Sequence, residues 1–128
     1  MIEVRNIAGK GRGIVATQDI AEGCVIELAP TAVVPIEHRE IVDKTAVSQY
    51  YFVRSSDYSG GKDVLSYLVF GLTSLCNHTD DPNSYVDWVE DELGIWARLL
   101  AKRNISAGEE VTMFYTNIDE YSNATKFV

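Results

Sequence analysis

Three short segments of this 128-residue chain hold residue types that could do chemistry, and none is decisive alone. Gly9-Lys10-Gly11-Arg12-Gly13 alternates glycines with cations ahead of Ile14-Val15-Ala16. Alternate glycines let a backbone approach a ligand closely and leave N–H groups free for an anion such as a carboxylate or phosphate. The segment is no Walker loop, and no strand and long helix frame it as a dinucleotide fingerprint requires, so a plain turn between strands explains it as well. Asn77-His78-Thr79-Asp80-Asp81-Pro82-Asn83 sets one histidine among turn-forming residues. An Asn-His pair caps or turns more often than it catalyses, and His78 fits a buried, hydrogen-bonded core residue equally well. The only other histidine is His38, which leaves no His-rich ligand set and argues against a metal site. Thr112-Met113-Phe114-Tyr115 ends in a tyrosine of the kind that usually packs, its hydroxyl satisfied by backbone. No Ser-His-Asp or Cys-His pattern of an activated nucleophile accompanies them.

The elements that must position these residues read mainly as strands. Ala16 to Ile26 and Ala101 to Val111 form an internal repeat sharing Ala, Asp or Asn, Ile, Gly and a final branched aliphatic at matching offsets. Each copy reads as strand, turn, strand, with Asp19 or Asn104 closing its bend on nearby backbone, the Ile plugging the core and the Gly supplying a positive φ. Short strands are expected at 13–17, 25–29 and 32–35. A hairpin of 84–89 and 95–101 closes through Asp91-Glu92-Leu93-Gly94. Helical turns are expected at 38–43 and 46–53, and a loop at 55–62. The apolar run 64–76 suits helix or buried strand, and periodicity does not choose between them.

Composition bounds the rest. The length is that of one domain, 1–128, with a modest core. A formal charge of −8 argues against nonspecific nucleic-acid binding and suits a basic partner, as a solvated acidic surface also would be. Acidic residues gather at Asp80 and Asp81, between Asp87 and Glu92, and at Asp119 and Glu120. Cys24 and Cys76 stand far apart, which speaks against zinc and disulfide frameworks. No signal-like opening and no long apolar run appear, so a cytoplasmic or nuclear location and no membrane contact are expected.

In combination and in this order, the segments resemble the SET-domain protein-lysine methyltransferases. The family's Gly-x-Gly turn is matched by Gly11-Arg12-Gly13, and its Asp-Ile-x-x-Gly turn by Asp19-Ile20-Ala21-Glu22-Gly23. Its Asn-His-Ser-x-x-Pro-Asn motif is matched by Asn77 to Asn83 with Thr79 for Ser, and its Gly-Glu-Glu-Leu-Thr and following Tyr by Gly108 to Thr112 and Tyr115. The similarity spans about residues 3–116. Asp80 stands where the family often has a zinc-feeding Cys, Phe114 where Asp or Ser is common, and Thr116 where Gly follows the Tyr. The chain is therefore similar to the minimal, stand-alone form found in small viral and bacterial members.

The resemblance implies a mainly β, β-clip fold of small curved sheets with a few short helices and a C-terminal pseudoknot that brings the Asn77 segment under the chain near Tyr115. It implies S-adenosylmethionine bound by Lys10, Gly11, Arg12, Asn77, His78 and Tyr115, with the lysine of a basic, histone-like protein or peptide entering from the opposite face. Tyr115 would be the catalytic residue, its hydroxyl oriented to the transferring methyl. Tyr50, Tyr51 and Phe70 would wall the lysine channel, and Tyr121 or Phe127 in the tail 117–128 would cover the cofactor. Methyl transfer from a sulfonium to an amine is an in-line displacement, so alignment supplies most of the gain. An apolar channel beside the sulfonium lowers the lysine pKa in place of a general base. Two other readings keep the same sequence features: a catalytically inactive module of this fold that binds a basic partner, and a small β-clip domain binding another ligand through Gly9 to Gly13. The apolar content also permits a homodimer.

Overall fold

The two copies of the internal repeat pair with each other. In the computed structural model, which describes residues 1–54, 57 and 64–116, Ile20 and Ile105 exchange both backbone hydrogen bonds at 2.8 Å. Gly23 N–H donates to Ala101 O just as Gly108 N–H donates to Ala16 O, and the bonds of Ala101 to Cys24 and of Ala16 to Glu109 match in the same way. Side chains repeat the exchange: Asn104 Oδ1 accepts from Glu22 N–H and Asp19 Oδ1 from Ala107 N–H, both at 2.9 Å. This corrects the expectation that each residue closes its own bend. Once the copies lie antiparallel, the other turn's N–H is the donor within reach. Ile20 and Ile105 are buried in the main core with Ile14, Leu99 and Val111.

Around this pairing the described residues form nine strands: β1 (Ile2–Ile7), β2 (Gly11–Ala16), β3 (Val25–Val34), β4 (Tyr51–Phe52), β5 (Ser66–Val69), β6 (Asn77–His78), β7 (Ser84–Asp91), β8 (Gly94–Ala101) and β9 (Glu110–Met113). One sheet has the order β1-β2-β9-β6 and the other β4-β5-β3-β8-β7. Among the described residues helix is confined to α1 (Arg39–Val42) and to 3₁₀ turns at Ile36–His38, Ala46–Gln49 and Leu72–Leu75. The expected mainly β fold of small sheets is what forms. No helix among the described residues is long and apolar enough to cross a membrane. The tail 117–128, with Tyr121 and Phe127, and all of the loop 55–62 except Asp57 lie outside the described residues.

The β7–β8 hairpin forms in one unbroken register from Ser84↔Ala101 to Asp91↔Gly94. Asp91 Oδ1 accepts Leu93 N–H at 2.8 Å and Trp96 Nε1–H at 2.9 Å, which ties the turn to its own strand. β3 is one ten-residue strand where two were expected. Pro30 interrupts nothing because it lies just past the Thr31↔Val69 pair, where β5 ends; its carbonyl still accepts Phe70 N–H at 3.0 Å. The second helical turn stops at Gln49, and Tyr51 and Phe52 join the sheet instead.

The ambiguous run 64–76 is both strand and helical turn, divided at Gly71. A Cβ on Gly71 would lie 2.6 Å from Glu27 Oε1. That carboxylate accepts Leu72 N–H, Thr73 N–H and Thr73 Oγ1–H at 3.0, 2.8 and 2.6 Å. It thus starts the 3₁₀ turn that feeds β6, a contact across 45 residues that local periodicity does not encode.

The exchange predicts its own cost of disruption. Ile105→Ala is expected to lower the unfolding free energy by about 2–5 kcal/mol, and Asp19→Ala by about 1 kcal/mol, as read by urea denaturation. An Ile105→Ala protein as stable as its parent would contradict the placement of this residue in the core.

Candidate functional site

Two asparagine amides hold the segment 77–83 in place. Asn83 behaves as an added peptide unit against β9: its Oδ1 accepts Thr112 N–H at 2.9 Å, and its Nδ2 donates to Glu110 O at 2.8 Å. Ser84 Oγ donates to Thr112 O at 2.6 Å. β6 itself lies parallel to β9 through Asn77↔Thr112 and His78↔Met113, the contact expected of the pseudoknot. Asn77 Nδ2 donates to Arg12 O at 3.1 Å and to Glu110 Oε2 at 2.8 Å, and Lys10 Nζ lies 3.3 Å from Glu110 Oε1.

Gly13 makes this approach possible. A Cβ there would meet Ile7, Asn77 and Glu110 at 2.5, 2.8 and 2.9 Å. Gly11, at φ +79°, has open space where its side chain would be. The glycine turn, Lys10, Asn77 and Glu110 therefore share one polar corner. Glu110 was not singled out by sequence reasoning; the only signal was its place beside Glu109 ahead of a strand.

His78 is fully buried, and its contacts lead to Tyr115. Nδ1 accepts the Tyr115 N–H at 2.8 Å, which places the proton of the neutral ring on Nε2, 3.3 Å from Asp80 Oδ1. The ring centroids of Phe114 and Tyr115 lie 4.7 and 5.2 Å away. Burial lowers the imidazole pKa below 6.5 and Lys10 adds to this, against an opposing pull from Asp80. Tyr115 Oη donates to Cys76 O at 2.6 Å. Burial pushes the Cys76 thiol far up, so it is an inert core residue.

On its other side Tyr115 lines a cavity of about 400 Å³ walled also by Tyr51, Phe52, Val86, Trp88 and Phe114. Phe52 meets Trp88 edge to face at 6.2 Å. Tyr51 is held by a buried cation: Arg39 Nη2 donates to its hydroxyl at 2.8 Å, Arg39 Nη1 donates to Val64 O at 3.1 Å, and the hydroxyl donates to Asp43 at 3.0 Å. Nothing in the sequence marked Arg39. Among the described residues Lys102 is the one charged residue lining the cavity. Of the three residues named as channel walls, Tyr51 lines this cavity, whereas Tyr50 and Phe70 are exposed and stand outside it. Tyr50 caps the 3₁₀ turn ahead of β4 and Phe70 follows the last residue of β5, so neither belongs to the strand segments that carry Tyr51 and Phe52 to the cavity. Lys10, Gly11, Arg12, Asn77 and His78 also lie outside the cavity walls. No group of three metal-ligating side chains occurs among the described residues.

Comparisons with known proteins agree with this fold. The family model described as the SET domain matches residues 11–116. A Schizosaccharomyces pombe histone-lysine N-methyltransferase, H3 lysine-37 specific, is 29% identical over 98% of this chain and 82% of its own length. The H3 lysine-36 specific enzyme of Debaryomyces hansenii is 33% identical over 88% of the chain, which spans only 15% of that relative. Among solved structures, the Neurospora SET domain protein DIM-5, a histone lysine methyltransferase, superposes with a TM-score of 0.69 at 19% identity, over 89% of this chain and 51% of that one. An autoinhibited ctPRC2 bound to S-adenosylmethionine gives 0.67 at 19%, over 98% of this chain and 16% of that one.

Two outcomes follow from the site's packing. Gly13→Ala is expected to cost about 1–3 kcal/mol through overpacking against Asn77 and Glu110, measured by urea denaturation. Because the folded His78 has a lower pKa than the free imidazole value of 6.5, the unfolded chain binds more protons between the two values. Stability contributed by neutral His78 is full above the ordinary histidine range and is lost as pH falls through it, levelling once the folded ring is also charged. Urea midpoints for the wild type and His78→Asn across that range should show this loss in the wild type and a flatter dependence in the variant.

Proposed function

This chain belongs to the SET-domain family, and on that footing we propose that it is a protein-lysine N-methyltransferase that uses S-adenosylmethionine and acts on a basic, histone-like protein. The observation that carries the reading is the position of Tyr115. Its backbone and ring contact His78 on the side of the polar corner, and it lines the apolar cavity on the other. A residue shared by a polar cofactor site and an apolar amine channel is what transfer between two faces requires.

The residues present fit the cofactor. The open side of the Gly9 to Gly11 turn and the Lys10 ammonium suit its carboxylate, the Glu110 carboxylate suits its ammonium, and Asn77 offers an amide beside them. Arg12 contributes through its place on the turn, and His78 through its backbone, since its ring is engaged by Tyr115. When bound, the cofactor supplies an electrophilic methyl group on a positive sulfonium.

The chain's own residues do the rest. Phe52, Val86, Trp88 and Phe114 give the cavity an apolar wall that disfavours an ammonium ion beside it, which lowers the pKa of an entering lysine. The Tyr115 proton is committed to Cys76 O, so the phenol oxygen faces its remaining neighbours as an acceptor, held in one orientation. Among the described residues β7 is an edge strand of its sheet; it carries Asp87, Glu90 and Asp91 and contributes Val86 and Trp88 to the cavity. A basic peptide added along that edge would gain both backbone bonds and charge complementarity. A histone-like substrate would place this work in the nucleus.

Mass spectrometry of a basic-protein mixture incubated with the chain and S-adenosylmethionine should find lysines carrying added methyl groups. Absence of calorimetric S-adenosylmethionine binding, even with a basic peptide present, would sink the reading. Tyr115→Phe is expected to lower turnover by about a hundredfold or more while cofactor affinity is nearly kept; unchanged turnover would remove Tyr115 from the mechanism.

A further inference from the structure

We propose that the His78 side chain is the positioning residue for Tyr115: its Nδ1 lone pair holds the Tyr115 backbone so that the phenol is aimed from a fixed origin, and only the neutral ring can do this. The inference rests on the methyl-transfer reading for its catalytic consequence and on geometry alone for its structural part. Tyr115 lies two residues past the end of β9, beyond the last parallel pair His78↔Met113, where the sheet ladder no longer orders the chain. Its two ends are instead bonded to one short segment. The Tyr115 N–H reaches His78 Nδ1 at 2.8 Å, and the phenol reaches Cys76 O at 2.6 Å.

That segment is itself immobilised. Cys76, Asn77 and His78 are all buried, and the Asn77 amide binds Arg12 O and the Glu110 carboxylate. The imidazole is packed between these anchors and the rings of Phe114 and Tyr115. It does not line the cavity, so it acts on the phenol's direction and not on the incoming amine.

Protonating Nδ1 would set a donor against the Tyr115 N–H and break one of the two anchors. The charged groups around the ring divide on this. Asp80, 3.3 Å from Nε2, favours the charged ring, while burial and Lys10 oppose it. Glu110 is engaged by Lys10 and Asn77.

Asn and Leu have the same branched shape, so His78→Asn and His78→Leu differ chiefly in whether an acceptor stands near the position of Nδ1. Tyr115 amide hydrogen exchange, followed by NMR, needs no catalysis and is expected to be slow in the wild type, intermediate in the Asn variant and fast in the Leu variant. Turnover of the Asn variant should exceed that of the Leu variant by about tenfold, the worth of one hydrogen bond of about 1.4 kcal/mol, with similar S-adenosylmethionine affinity in both. The acid limb of the wild-type turnover profile should contain a second proton that the Asn variant lacks.

Equal exchange and equal turnover in the two variants overturn the proposal. If the Leu variant does not fold, the wild type decides: Tyr115 amide protection, taken relative to the intrinsic exchange rate at each pH, that fails to fall as the His78 ring takes up its proton overturns it as well. A chain that transfers no methyl group but shows the exchange pattern would disprove the functional reading and leave the anchoring intact.

Discussion

The seating of residues 76–84 against β9 is the constraint on which the rest of the site depends. β6 is only two residues long and makes too few ladder bonds to hold itself there. Side-chain amides supply the difference. Asparagine carries a planar donor and acceptor pair like that of a peptide unit, so Asn83 continues the pairing along β9 where backbone has turned away. Asn77 donates toward the glycine turn at Arg12 O, and Gly13 keeps the space it needs.

This seating divides the site by polarity. On one side lie Lys10, Glu110 and the Asn77 amide, linked to one another; on the other lie Phe52, Val86, Trp88 and Phe114 around an open volume. Tyr115 stands at the boundary because its two anchors, His78 and the Cys76 carbonyl, both belong to the seated segment.

Much of this was legible where the determining physics is local. The β7–β8 hairpin follows from alternation and from an Asp that can bond its own turn, and it formed in the expected place. The internal repeat announced two equivalent turns but not that each would complete the other. β3 runs unbroken where two strands are expected, because Pro30 interrupts a strand only if its missing ladder bond is needed, and β5 ends before that point. The run 64–76 resisted assignment because Glu27, from another strand, decides where strand gives way to turn.

The sequence by itself determined the class of the fold and the identity of the polar segments, since glycine turns, alternation and the Asn-His and Gly-Glu-Glu motifs are properties of short windows. Only the tertiary structure decided what those segments do for one another. Asn77 meets Arg12 across 65 residues and Glu110 across 33, and His78 meets Tyr115 across 37. It also decided that Tyr51 and not Tyr50 or Phe70 lines the cavity, and that Arg39 is buried to hold it there. Burial and hydrogen bonding between distant residues set those roles, and neither is written in the spacing of neighbours along the chain.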